Sequence, residues 1–293
     1  MNIQWFPGHM AKTRRILTEN LKIVDVVIEL LDARIPISSR NPEFDKILNN
    51  KPRIVALNKS DLADANVSTL WNSWYAKNDV ASIFINSIKG TGFAQLKNEL
   101  KNMMKDKIER EKKRGRITRP IRTMIVGIPN VGKSSFINKI AGKKSAQTGD
   151  KPGVTRGKQW IRLNREIDLL DTPGILWPKF EDLNTGLHLA YTGAIKDDVI
   201  DTIEVASKLM LKLRELYPQN LLGRYKLDTL EFENGIKILE AAGRKRGCLI
   251  SGGEVDFNRI ASIVLDEFRG AKIGRISLER PADLEFKEVE SIE

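Results

Sequence analysis

The stretch Gly127-Ile128-Pro129-Asn130-Val131-Gly132-Lys133-Ser134 has the pattern Gly-x-x-x-x-Gly-Lys-Ser, and its flanks give it meaning. Upstream, Thr123-Met124-Ile125-Val126 is a short apolar run suited to a buried strand. Downstream, Ser135-Phe136-Ile137-Asn138-Lys139-Ile140 continues as a helix. Strand, glycine loop and helix together form the setting in which this pattern holds phosphate. Gly127 and Gly132 let backbone N–H groups curl around phosphate oxygens, and the helix start adds the positive end of its dipole. Lys133 has the reach for β- and γ-phosphates, and the Ser134 hydroxyl suits Mg²⁺. A glycine-rich turn before a helix also arises by chance, so the pattern needs partners elsewhere in the chain.

The two flanking halves together make 293 residues, long enough for about two domains. Hydrophobic residues at 41% and charged residues at 30% describe a protein with a real core, but a net charge of +11 is unusual. It favours a polyanionic partner, nucleic acid or an anionic membrane surface. The single cysteine, Cys248, excludes an internal disulfide and a cysteine-built zinc site, and suits a reducing compartment. The most apolar run, Ile23 to Leu31, is interrupted by Asp25 and Glu29 and is far too short to span a bilayer. No signal-peptide pattern opens the sequence. The expectation is a soluble cytoplasmic protein.

Partners for the glycine loop lie upstream of it. Val24–Leu31 is β-branched and nearly continuous, as in a central strand. It ends in the loop Asp32-Ala33-Arg34-Ile35-Pro36. A short helix from Pro42 to Leu48 and a second strand, Pro52 to Leu57, lead to Asn58-Lys59-Ser60-Asp61. Asn-Lys-x-Asp at a strand end is how GTPases read guanine. The Asp61 carboxylate can accept from the ring N–H and the exocyclic amine, the Lys59 stem can lie along the base, and Asn58 can tie this loop to the phosphate loop. Adenine would leave the carboxylate facing no suitable donor. Four residues alone would also fit a solvated turn. A helix over Val67–Lys77 carries Leu70, Trp71 and Trp74, read as core, and a third strand over Val80–Ile85 leads to Asn86-Ser87-Ile88-Lys89. These resemble the Ser-Ala-Lys loop of GTPases, whose backbone faces the guanine carbonyl, with Ile88 in place of the usual Ala.

A helix from Phe93 to about Lys113 then turns basic. Lys101 to Arg122 holds ten Lys/Arg against three acids, either a solvated face or an RNA-facing patch. Downstream of the glycine loop, Ala146 to Arg156 is expected to be a mobile loop containing Thr155, which in GTPases reaches Mg²⁺ and the γ-phosphate. Two strands, Gln159–Leu163 and Ile167–Leu170, turn at Asn164-Arg165 and deliver Asp171-Thr172-Pro173-Gly174. There Asp171 would hold Mg²⁺ through water, and the Gly174 N–H would sense the γ-phosphate.

All five nucleotide-binding elements of a GTPase are therefore present in rotated order, the guanine-reading pair before the phosphate-reading three. With Trp5-Phe6-Pro7-Gly8-His9-Met10 and Asp32-Ala33-Arg34-Ile35-Pro36 added, the chain resembles the circularly permuted GTPases, and among them the bacterial ribosome biogenesis GTPase A family, over essentially its whole length. The resemblance implies a doubly wound, circularly permuted P-loop GTPase domain over residues 1–180. A smaller all-α, RNA- or ribosome-binding domain would occupy 181–293. Implied GTP contacts are Asn58, Lys59, Ser60, Asp61, Asn86, Ser87, Ile88, Asn130, Val131, Gly132, Lys133, Ser134, Ser135 and Gly174. Mg²⁺ would be held by Ser134, Thr155 and Asp171, and Asn130 could help coordinate K⁺. The implied partner is the large-subunit precursor and its rRNA, bound by a monomer. Rivals are a GTPase acting on another structured RNA and a GTP-gated RNA-binding module with negligible turnover.

Catalysis needs a group that positions water. Ile175 stands where many GTPases carry Gln and cannot hydrogen-bond. His9, one of only two histidines, is the candidate, acting beside Lys133 and Thr155; His188 falls in an expected helix and is read as structural. Beyond residue 181, helices are expected near Leu183–Ile195, Thr202–Leu216, Phe232–Ala242 and Val255–Phe268. A basic loop, Gly243-Arg244-Lys245-Arg246-Gly247, together with Arg269, Lys272 and Arg275, suits phosphate contacts. The acidic tail, Glu285 to Glu293, is expected to fray.

Overall fold

Strand β1 (Val26–Asp32) is apolar on both faces, so it needs cover on both sides. Val26, Ile28 and Leu30 point into one core with α4 (Phe93–Lys113) and α5 (Lys133–Ala141). Val27 faces helix α1 (residues 15–21) and α2 (Glu43–Leu48), and Leu31 faces α3 (Ala65–Lys77). The computed structural model describes residues 15–48, 51–115, 119–142, 159–163, 166–171 and 182–284.

Six strands form the sheet in the order β3-β2-β1-β4-β6-β5. β2 is Arg53–Asn58, β3 Ser82–Phe84, β4 Ile121–Val126, β5 Gln159–Arg162 and β6 Ile167–Asp171. All neighbours run parallel except β5, which lies antiparallel to β6 at the edge. β1, β2, β4 and β6 fall where the hydrophobic runs predict. β3 is shorter than expected, three residues rather than Val80–Ile85. Of the expected core residues on α3, Trp71 is buried and Trp74 half-buried, but Leu70 is exposed.

The two acids that interrupt the β1 run have separate uses. Asp25 accepts from Lys107 Nζ at 2.5 Å, from Arg119 at 2.8 and 2.9 Å, and from the Arg122 N–H at 2.9 Å. It thus ties α4 and the start of β4 to β1. Glu29 is fully buried, with Arg53 at 3.2 Å and Arg40 at 3.8 Å. Burial pushes its carboxyl up despite both arginines.

The C-terminal part is helical: α6 (Leu183–Tyr191), α7 (Thr202–Leu216), α8 (Pro218–Tyr225), α9 (Gly235–Lys245) and α10 (Phe257–Arg269). α7 packs on all the others, and carboxylates or an amide at Asp182, Asp201, Asn234 and Asp256 cap four of the five. Two expectations change here. α8 is not among the expected helices; Pro218 at its first turn starts a helix rather than breaking one. The basic stretch expected as a loop is instead the end of α9, with Arg244 and Lys245 in its last turn and Gly243 buried inside it. Past α10, residues 273–284 run back over the loops that follow β1 and β2. Among the described residues no helix is long and apolar enough to cross a membrane.

The Trp5–Met10 segment, the whole 146–156 loop with its Thr155, the Asn164-Arg165 turn, Thr172 to Glu181 and the tail from Glu285 lie outside the described residues.

Candidate nucleotide-binding site

The C-terminal ends of β1, β2 and β4 lie side by side, so the loops leaving them converge. Such convergence at the carboxyl edge of a parallel sheet is where α/β folds place ligands. Asn58 is the hub. Its Nδ2 donates to the Val131 carbonyl at 2.9 Å, and its Oδ1 accepts from the Ser87 N–H at 3.2 Å and the Ser87 hydroxyl at 2.7 Å. One buried amide therefore joins the guanine-reading loop, the phosphate loop and the loop after β3. Asn86 shapes that last loop as an Asx turn, accepting from the Ile88 and Lys89 N–H groups. The Ile88 side chain is 81% exposed, so its departure from Ala costs no packing here.

The phosphate loop depends on its two glycines. Gly132 has φ +101°, and a Cβ there would sit 2.4 Å from Asn58 Nδ2. A Cβ on Gly127 would meet the Leu30 carbonyl at 2.6 Å. Gly132 also caps α5 with no side-chain hydrogen bond, so the N–H groups of the first turn, at Lys133, Ser134 and Ser135, have no side-chain acceptor at the cap. Lys133 Nζ donates to the carbonyls of Gly127 and Ile128 at 3.0 and 3.1 Å. Burial pushes its ammonium down to about 8, and the Asp171 carboxylate works against that shift. Asp171, at the end of β6, is thus electrically coupled to the phosphate lysine. The hydroxyl of Ser134 and the carboxylate of Asp171 are hard oxygen donors of the kind Mg²⁺ prefers.

Lys59 sits at φ +57°, and its ammonium reaches Asn130 O at 2.9 Å and Asp32 Oδ2 at 3.0 Å. Asp32, paired in register with Asn58, is gripped on its other side by the Arg34 guanidinium at 2.9 and 2.8 Å. Burial alone would raise the Asp32 carboxyl, but Arg34 and Lys59 outweigh it and hold it well below the usual carboxylate range. Sequence reasoning assigns Asp32 and Arg34 no role in the site. The available signal is a carboxylate ending the strand next to the one that ends in Asn58. Asp61 is half-buried, and the backbone on both sides of it is anchored. The Asn130 side chain donates to the Gly193 carbonyl at 2.8 Å, linking the phosphate loop to the end of α6.

All but one of the residues expected to contact RNA lie apart from this site. Arg244 pairs with Glu240 at 3.0 Å, Lys245 with Asp228 at 3.0 Å, and Arg246 with Glu267. Lys272 is exposed. Arg275 is turned toward the guanine-reading loop instead. His188 is held between Ser38 and Glu279, in the structural role expected of it. His9, Thr155 and Gly174 lie outside the described residues.

A family described as 50S ribosome-binding GTPase matches residues 122–222. Ribosome biogenesis GTPase A of Bacillus licheniformis is 49% identical over 97% of this chain and 100% of its own length. The protein of the same name from Bacillus cereus is 47% identical over 100% and 99%. The chain belongs to the ribosome biogenesis GTPase A family. Its fold agrees: the GNP-bound structure of YlqF from T. maritima superposes with a TM-score of 0.63 at 26% identity, covering 92% of this chain and 98% of that one. The GDP-bound form gives 0.65 over 92% and 100%. This GTPase binds GTP and GDP and hydrolyses GTP, and its GTPase domain is of the α/β P-loop class.

Proposed function

We propose that this GTPase is an assembly factor for late maturation of the large (50S) ribosomal subunit, binding the precursor particle and its rRNA in a GTP-dependent way. The observation that carries the nucleotide half is Asn58, which joins the base-reading and phosphate-reading loops within one set of hydrogen bonds. The partner half rests on kinship: end-to-end relatives are named for ribosome biogenesis, and the matched family is described as 50S ribosome-binding. The net charge of +11 supports an RNA partner. The protein acts in the cytoplasm, as a monomer.

The GTPase domain, residues 1–180, is circularly permuted. In support, moving β4, β5 and β6 ahead of β1 would put the phosphate loop first and the two guanine-reading loops last while leaving the sheet order unchanged. Residues 181–293 form the smaller all-α domain, and Arg244, Lys245, Arg246 and Lys272 are its RNA contacts in this reading. The ion pairs at Arg244 and Lys245 are largely exposed, worth about 0–1 kcal/mol each, and yield readily to phosphate.

For the chemistry, Lys133 takes the β- and γ-phosphates, Asp61 reads guanine, and the N–H groups from Asn130 to Ser135 cradle phosphate oxygens. Ser134, Thr155 and, through water, Asp171 would hold Mg²⁺, which would supply charge neutralisation at the phosphates; K⁺ at Asn130 would add to it. The Gly174 N–H senses the γ-phosphate. His9 orients the attacking water. It precedes α1, and α1 covers β4 and β6, the strands that lead to Lys133 and Asp171.

Multiple-turnover phosphate release, with and without large-subunit precursors, tests the proposal together with sedimentation in each nucleotide state. Turnover should rise with the particle, and the GTP-bound form should co-sediment. Absence of both effects would overturn the ribosomal reading. His9→Ala should keep GTP affinity and lose at least about 100-fold of stimulated turnover. Equal loss of affinity and turnover would make His9 structural.

A further inference from the structure

The segment after α10 makes a series of contacts with the loop that carries Asp61. Arg275 Nη2 donates to the Ser60 carbonyl at 3.0 Å, and Arg275 Nε to the Ala63 carbonyl at 2.8 Å. The Ile276 N–H donates to the Leu62 carbonyl at 3.0 Å. The Asp64 N–H donates to the Ser277 hydroxyl at 3.1 Å. Both carbonyls flanking Asp61 are therefore fixed by residues more than 210 positions away in sequence. The strap is itself anchored. The Leu278 N–H bonds the Arg34 carbonyl, and the Trp71 indole bonds the Glu279 carbonyl at 3.1 Å. The Glu279 carboxylate accepts from the N–H groups of Ile37 and Ser38.

We infer that Arg275 is a positioning residue for base specificity, its guanidinium setting the pose from which Asp61 reads guanine. This rests on the reading of Asn58–Asp61 as the guanine-reading loop. Ser60 also has its N–H on the Ile85 carbonyl, and the Leu62 N–H closes a turn onto Lys59. With the N-terminal side of the loop tied to the sheet, the C-terminal side would be free to swing without the strap. A two-point hold on carbonyls three residues apart needs a planar fork, which Arg has and Lys lacks. A carboxylate that swings by a fraction of an ångström loses the fit to two donors before it loses the fit to one. Removal of the fork should therefore weaken the nucleotide that offers two donors more than one that offers one.

The test compares equilibrium affinities for GTP and for ITP, whose base lacks the exocyclic amine, in the wild-type protein, Arg275→Ala and Arg275→Lys. The GTP:ITP preference should fall about three- to tenfold in Arg275→Ala, the worth of part of one charge-assisted hydrogen bond. Arg275→Lys should restore it only in part. Taking the ratio removes any general effect of losing a positive charge near a triphosphate. An unchanged ratio in Arg275→Ala, with wild-type preference intact, would overturn the inference while leaving the guanine-reading loop standing. No GTP:ITP preference in the wild type would overturn both. Should Arg275→Ala fail to fold, Arg275→Gln keeps a neutral donor in place of the fork. The same fall in its GTP:ITP ratio is then expected, and an unchanged ratio would again overturn the inference.

Discussion

Lys133 is the residue on which the chemistry and the stability of the site pull in opposite directions. Burial brings its ammonium down to about 8 from the ordinary 10.5. A base with a folded-state pKa below its unfolded value costs stability while it stays charged, and that cost fades as pH rises through 8 toward 10.5. Nucleotide binding has the reverse sign in the proposed role of Lys133, in which the polyphosphate needs the ammonium. Above pH 8 the free protein must take up a proton to bind. GTP affinity should therefore be level near pH 7.5 and fall toward tenfold per unit above pH 8, with proton uptake visible by calorimetry in two buffers of different ionisation enthalpy. A flat affinity to pH 9.5 with no proton uptake would refute this. Asp61→Asn exchanges an acceptor for a donor, so XTP should become the preferred nucleotide in competition binding; continued preference for GTP would reject the loop assignment. Both residues are legible in sequence because their motifs are contiguous. Asp32 and Arg34 are not, since their role depends on which strand lies beside which.

At the level of elements, periodicity locates strands and long helices well and their ends poorly. The apolar spacing of Phe93, Leu96, Leu100 and Met104 gives α4 its extent. α8 is hidden by Pro218, which marks a stop or a first turn with equal force until the cap is seen. The end of α9 reads as a loop because Gly243 resembles a loop residue, whereas it is buried inside the helix and a Cβ there would meet Val255 at 2.6 Å. That difference changes how its charges should be tested. Reversing Arg246 would break a part-buried pair with Glu267, so loss of function there would be ambiguous. Arg244→Gln with Lys245→Gln touches only exposed pairs. The double variant should weaken binding to large-subunit precursors and lower the slope of log affinity against log salt by about one to two. An unchanged slope would move the RNA surface to α4, where Lys105, Lys112 and Lys113 are exposed.

Across the whole molecule, the fold class can be read from the strand–loop–helix setting of the phosphate motif and the rotated motif order. The path of residues 273–284 cannot. It has no periodicity, and its partners are backbone carbonyls, which carry no sequence signature. Yet it is this path that binds residues 275–278 to the loops after β1 and β2. Ser60 and its anchor Arg275 are 215 residues apart. Chains are made from the N-terminus at about 5–20 residues per second, so the loop emerges roughly 10–40 s before the residue that fixes it. A nascent chain can pair β1, β2 and β3 and display Asn58–Asp61 early, but the loop is clamped only once Arg275 and Ile276 have been made. The final form of this loop thus depends on residues made more than 210 positions after it.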